Sequence, residues 1–165
     1  MSEDIIFRNA TEADVEAVCD IAVSQWSPIY DGYADRLGRE LYELVTEAGP
    51  LERKRAVIRE CALDFEHCMV AEMDGRVVGF AHFIIESANG RPIGVLGNNA
   101  VSGECRGRGI AGRLYDIIFD KMKAIGCVAV KVHTGLDDGH APARRAYEKM
   151  GFEKNLPSVV YYKKL

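Results

Sequence analysis

Residues 101–112 read Val-Ser-Gly-Glu-Cys-Arg-Gly-Arg-Gly-Ile-Ala-Gly. An apolar run, residues 95–101, leads into them, and a helical pattern, residues 108–125, follows. A strand, a glycine-rich turn and a helix start, in that order, make a cradle for a phosphate. Glycine lets the backbone approach an anion with no Cβ in the way. The free N–H groups of the first helical turn face that anion, aided by the positive end of the helix dipole. Arg106, Arg108 and Arg113 add charge to the same turn. The stretch predicts a site for a ligand that carries a pyrophosphate.

Upstream, residues 5–8 read as a short strand. Residues 13–26 carry Val15, Val18, Ile21 and Ala22 at helical spacing. Pro28 is expected to close that helix and leave Trp26, Tyr30 and Tyr33 in an aromatic loop. Helical stretches follow at 37–45 and 51–63, separated by Gly49-Pro50. Asp74-Gly75 divides two apolar runs, 67–73 and 76–85, and Asn89-Gly90 introduces a third, 93–101. Downstream of the glycine turn come a strand at 128–133 and a helix at 141–150 that ends on Gly151. Short strands are expected at 152–154 and 158–164. The pattern is α/β (α+β), mostly antiparallel in its first half, in one domain over residues 1–165.

A net charge of −4 argues against general nucleic-acid binding. No apolar run reaches the ~18 residues of a membrane span, and the first residues lack the pattern of a signal peptide. Five cysteines without a C-x-x-C pair speak against a disulfide framework and structural zinc, so no metal and a cytoplasmic setting are expected. Four of them read as core or near-core residues. Cys105 stands apart because it lies beside Arg106, and cationic neighbours are what activates a thiol.

Residues 107–112 satisfy G-x-G-x-x-G, so a dinucleotide-dependent oxidoreductase must be weighed. Three features oppose it. Five residues separate Val101 from Gly107, the preceding strands form a meander of hairpins, and His133 stands where an acidic residue would hold a ribose.

The residues 106–111, Arg-Gly-Arg-Gly-Ile-Ala, resemble the acetyl-CoA signature Q/R-x-x-G-x-G/A of the GNAT superfamily of N-acetyltransferases. Residues 143–152, Ala-Arg-Arg-Ala-Tyr-Glu-Lys-Met-Gly-Phe, resemble the second segment of that family, A-x-x-x-Y-x-x-x-G-F. The resemblance implies a mixed, mostly antiparallel central sheet flanked by helices, with a splayed strand pair that binds CoA. It implies an acetyl-CoA-dependent enzyme that acetylates a primary amine of a small molecule or peptide by direct attack in a ternary complex. A CoA-binding regulatory module without catalysis is the other reading of the same motifs.

Carried over residue by residue, the resemblance implies that Asn99, Ala100 and Val101 pair with the pantetheine arm through main chain. Arg106, Gly107, Arg108, Gly109, Ile110, Ala111, Gly112 and Arg113 hold the pyrophosphate, and Ala143 belongs to the second segment. Tyr147 protonates the departing thiolate, or else packs in the core. Asn98-Asn99 marks a bulge at the acetyl group, or an ordinary end to the apolar run. His140 stands where the family often has Asn. It keeps a binding role, moves a proton, or caps the helix at Ala141. Glu72, Glu86 and Glu104 border the strands as possible proton acceptors, alongside relayed water. Trp26, Tyr30 and Tyr33, with Glu86 and Asn98, are the candidate acceptor-binding residues. An edge strand at 158–164 invites pairing into a homodimer, although Lys163-Lys164 blunts it.

Overall fold

Two Asx-Gly dipeptides set the sheet. Asp74 and Gly75 have φ of 51° and 73°, and Asn89 and Gly90 have 52° and 73°. Consecutive left-handed residues make the tight turn whose twist suits a hairpin. The first turn joins β2 (Cys68–Met73) to β3 (Arg76–Ala88), and the second joins β3 to β4 (Arg91–Val101). The computed structural model describes residues 4–165. The part of the leader and domain readings that falls on residues 1–3 lies outside them. β1 (Ile5–Asn9) pairs antiparallel with β2, and β5 (Ala129–Val132) pairs parallel with β4, giving the order β1-β2-β3-β4-β5.

Helices cover both faces. On one, α1 (Val15–Leu37) and α3 (Pro50–Leu63) bury Val18, Ala22, Ile58 and Ala62 against Val70 and Phe80. On the other, α4 (Ile110–Ile125) and α5 (Ala141–Lys149) pack Leu114, Tyr115, Ile118 and Tyr147 against Ala81, Phe83 and Leu96. Phe80 and Ala81 thus go to opposite faces, as the pleat dictates. Gly94 lets α4 lie close, since a Cβ there would stand 2.8 Å from Met122 Cε. α2 (Arg39–Val45) buries no residue fully and runs beside α1. None of the described helices is long and apolar enough to cross a membrane.

Three expectations need correction. Pro28 does not end the first helix, which continues to Leu37 and carries Trp26, Tyr30 and Tyr33 on helix rather than loop. Proline forfeits one helical hydrogen bond. The continued helix half-buries Ile29, Tyr30 and Tyr33, so tertiary packing outweighs the local signal. The strands expected at 152–154 and 158–164 are not formed, and the tail has no regular secondary structure, with Leu156 98% and Tyr161 90% exposed. The edge-strand argument for a homodimer therefore loses its strand. Cys105 is also not set apart. It is 2% exposed and packs in the core with Ile110 and Leu114.

Candidate active site

The parallel pairing of β4 with β5 covers only Ile93 to Leu96 on β4 and Ala129 to Val132 on β5. β4 runs on to Val101, still paired on its other side with β3. From residue 97 onward one edge of β4 is therefore open, and Asn99, Ala100 and Val101 lie along it. The register with β3 shifts between Ala81 and Phe83, where Ala81 faces Asn99 but Phe83 faces Leu96. β4 thus holds one extra residue at Gly97-Asn98, the bulge expected beside Asn99. Asn98 and Asn99 point to opposite faces of the sheet, as adjacent residues of a strand do.

On the α4/α5 face, Asn99 donates from Nδ2 to the Tyr147 hydroxyl at 3.1 Å and to Gly97 O at 2.9 Å. Its Oδ1 accepts from the Tyr115 hydroxyl at 2.6 Å. Tyr147 is 7% exposed and comes from α5, where Pro142 sits in the first turn. Burial pushes the Tyr147 phenol above its ordinary value, opposed chiefly by the hydrogen bond from Asn99. Its hydroxyl accepts from Asn99 and keeps its own proton. The Tyr147 ring packs in the core, and its hydroxyl meets the Asn99 side-chain amide at the bulge.

The glycine turn follows a short 3-10 turn, Gly103–Cys105. Gly107 and Gly109 have φ of 78° and 76°, and a Cβ on either would meet no protein atom within 4 Å. Open space with a left-handed backbone means that φ requires glycine there, and that the space above the turn is free. α4 begins at Ile110, two residues later than the pattern predicts, with Gly109 as its N-cap and no side chain capping it. The first N–H groups, those of Ile110, Ala111 and Gly112, are thus left for another acceptor. The arginines fan out rather than converge. Arg106 donates to Gln25 Oε1 on α1, Arg108 reaches Met73 Sδ at 3.5 Å, and the Arg113 guanidinium lies 5.9 Å from the Phe7 ring centroid.

His140 is the N-cap residue of α5, but its side chain makes no capping bond. Its Nδ1 lies 2.8 Å from Asp137 Oδ2, and its backbone N–H donates to Asp137 Oδ1 at 3.2 Å. Tyr33 of α1 donates to the same carboxylate at 3.4 Å. Burial works to raise the Asp137 carboxyl, but the hydrogen bonds from His140 prevail and hold it below its ordinary value. Gly135 makes room for this pair, since a Cβ there would stand 2.6 Å from His140 Nδ1. Ala143 lies half-buried one turn before Tyr147.

On the α1/α3 face, Asn98 Oδ1 accepts from Lys54 Nζ at 2.7 Å, and its Nδ2 reaches Cys61 Sγ at 3.6 Å. Lys54 also lies 4.1 Å from the centroid of the Trp26 ring. Beside it opens a cavity of about 420 Å³ with Tyr30, Tyr33, Tyr42, Arg53 and Lys54 in its wall. Trp26, Tyr30, Tyr33 and Asn98 are therefore gathered around one region. Glu86 is not. It aligns with Ile93 in the closed part of the sheet and binds Lys131 at 2.5 Å. Glu72 is taken by Arg8 at 2.6 Å, and Glu104 is exposed on the 3-10 turn.

Two groups at the bulge escaped the sequence reading. Lys54 is one. The other is His82 on β3, opposite the extra residue and only 8% exposed. Its Nε2 lies 3.0 Å from Asp64 Oδ2, and Asp64 also meets His67 Nδ1 at 2.9 Å. A Cβ on Gly97 would stand 3.4 Å from His82 Nδ1, so this nitrogen faces the bulge. Burial acts to raise the Asp64 carboxyl, but the bonds from His82 and His67 outweigh it and hold it low. No sequence spacing links Asp64 to His82, because α3 and a hairpin strand bring them together.

The wedge between β4 and β5, beyond their last paired residues, suits the pantetheine and pyrophosphate of CoA. An open strand edge offers main-chain partners to an amide-bearing arm. Thr134 Oγ1, just past β5, is buried without a hydrogen-bond partner, as a group awaiting a ligand would be. The glycine turn and uncapped helix suit phosphates. The residues fit. The acetyltransferase (GNAT) family model matches residues 26–152, a span holding β2 to β5, the glycine turn and α5.

The chain belongs to the GNAT acetyltransferase family.

It is an N-acetyltransferase, and its reaction is acetyl transfer from acetyl-CoA. Solved structures agree in fold. The aminoglycoside N-acetyltransferase AAC(6')-Iy in complex with CoA is 20% identical, with a TM-score of 0.62 over 100% of this chain and 98% of its own. A transcriptional regulator from Bacillus halodurans is 22% identical, with a TM-score of 0.63 over 97% and 100%. An aminoglycoside acetyltransferase from an uncultured soil metagenomic sample, solved with sisomicin, is 13% identical, with a TM-score of 0.60 over 98% and 96%. No curated protein matches the chain by sequence. The family membership and the antiparallel order up to β4 set aside the dinucleotide reading.

Proposed function

We propose that the chain acetylates a primary amine of a small molecule or peptide by direct attack on the thioester in a ternary complex. One observation carries this reading: the β4 bulge faces both ligand spaces at once. Asn99 and the open strand edge meet the CoA wedge, and Asn98 meets the cavity under α1 and α3. An amine and a thioester brought together at the open edge of one strand need no covalent enzyme intermediate.

In this reading, bound acetyl-CoA supplies the acetyl group on a thioester, and the chain does the rest. Asn99, Ala100 and Val101 align the pantetheine arm by main-chain pairing. The turn from Arg106 to Arg113 holds the pyrophosphate. His140 and Ala143 line the far wall. A backbone N–H at the bulge faces the thioester oxygen and stabilises the charge that develops there. His82 takes the proton from the attacking amine, directly or through one water, while Asp64 holds its Nε2–H and leaves Nδ1 free. The new C–N bond forms as the C–S bond breaks, and Tyr147 gives its proton to the departing sulfur. Trp26, Tyr30 and Tyr33 wall the acceptor side.

Initial rates of thiol release, with amine and acetyl-CoA both varied, test this reading. Intersecting lines support the ternary complex. Parallel lines, or release that ignores the amine, refute it. Pairing into a homodimer is a separate part of the proposal, supported by the exposed apolar tail residues Leu156, Val159, Val160 and Tyr161. Sedimentation at twice the 18.3 kDa chain mass is expected, and a monomer at micromolar concentration refutes it.

A further inference from the structure

Lys54 is a cation without an anion. Its ammonium contacts the Asn98 amide oxygen and the face of Trp26, and among the described residues no carboxylate pairs with it. Burial pushes it below the ordinary value of a lysine. Charges taken out of water are normally paired. The neighbouring cation differs, since Arg53 is matched by Glu47. Among the described wall residues of the cavity there is no Asp or Glu. A polycationic acceptor would thus meet the unpaired Lys54 ammonium and no carboxylate among the described wall residues. Three tyrosines line the same space.

We propose that Lys54 binds an anionic group of the acceptor, so that the preferred substrate is a primary amine bearing a carboxylate beside an apolar or aromatic body. This rests on the acetyl-transfer reading of the same site. The placement suits it. Lys54 Nζ reaches Asn98 at the bulge, where the acetyl group arrives, so a carboxylate held there keeps a nearby amine within range of the thioester. The Trp26 ring and the apolar stem of Lys54 give that carboxylate a partly dry setting, in which a charge-assisted bond is stronger. A polyamine has nothing to offer the lysine and is repelled by it.

The test uses the full chain with acetyl-CoA and four probes: phenylalanine, phenylalanine methyl ester, phenethylamine and spermidine. The wild type should have kcat/KM at least about tenfold higher for phenylalanine than for its ester or for phenethylamine, as expected for one hydrogen bond to a charged group. Lys54→Met keeps the stem against Trp26 and should erase that ratio by raising KM for the acid alone. Lys54→Arg should keep much of it. A lysine that only braces Asn98 would change all four probes alike, and that uniform change overturns the proposal. Preference of the wild type for spermidine or the ester overturns it too. If CoA binds but no amine of any kind is acetylated, the acetyl-transfer reading itself falls and this inference with it. Should Lys54→Met fail to fold, Lys54→Gln compared across the acid and its ester gives the same decision.

Discussion

Replacing Tyr147 by Phe separates the chemistry of the site from its architecture. The change removes one hydroxyl, which accepts a 3.1 Å hydrogen bond from Asn99 Nδ2. That amide keeps its bond to Gly97 O at 2.9 Å, and Oδ1 keeps the Tyr115 hydroxyl at 2.6 Å. The structural loss is therefore one hydrogen bond, about 1 kcal/mol. For a chain of this size that lowers the melting temperature by about 2–4 °C. The ring stays packed against Tyr115 and Phe152. Losing a general acid removes a factor of about 100 or more from turnover, far beyond what 1 kcal/mol explains. The assay is thiol release at saturating acetyl-CoA across pH, alongside calorimetric CoA binding. The acid works only while protonated, so activity is present below the phenol pKa and lost above it. Burial places that limb above the ordinary 10.0. In Tyr147→Phe, kcat should fall about 100-fold with CoA affinity nearly unchanged, and the basic limb should vanish. Unchanged kcat, or a fall matched by weaker CoA binding, would refute the assignment.

The other predictions bear on the turn, the base and the fold. Gly109→Val places a branched side chain at φ 76° in the free space above the turn. It should cost about 1–3 kcal/mol of stability, and calorimetry should find CoA binding abolished; a folded variant with normal affinity would remove the turn from the binding site. His82→Gln should lower kcat/KM about 100-fold while calorimetric CoA affinity stays nearly unchanged, as loss of a general base does. An unchanged kcat/KM, or a loss matched by weaker CoA binding, would exclude His82. The hydrogen bond from Arg8 holds the Asp14 carboxyl down at about 2 against an ordinary 3.8, with burial opposing it and Thr11 assisting. A depressed carboxyl stabilises the fold above its unfolded value and loses that contribution as pH falls through the folded one, here about 2 kcal/mol between pH 3.8 and 2. Urea unfolding should show Asp14→Asn losing that amount at pH 7 and converging with the wild type near pH 2. A constant gap at all pH values would show that Asp14 does not titrate with folding.

The sequence by itself determined the features that depend on local backbone chemistry. Asp74-Gly75 and Asn89-Gly90 specify left-handed pairs, so two hairpins followed. The glycines around Arg108 specify an open turn before a helix. Tyr147 sits a fixed distance along a helix from Ala143. Each of these needs only neighbours in the chain. What the sequence could not carry is the outcome of competition between local preference and packing. Pro28 reads as a helix end, but the burial of Ile29, Tyr30 and Tyr33 keeps α1 helical. The tail from 158 reads as a strand, yet a strand needs a partner edge, and none is formed. The proposed active-site constellation is the clearest case. Lys54, Asp64, His82 and Asn98 are spread over 45 residues and share no periodicity. They meet only because α3 packs beside the place where β4 holds an extra residue, and such contacts are made between elements far apart in the chain.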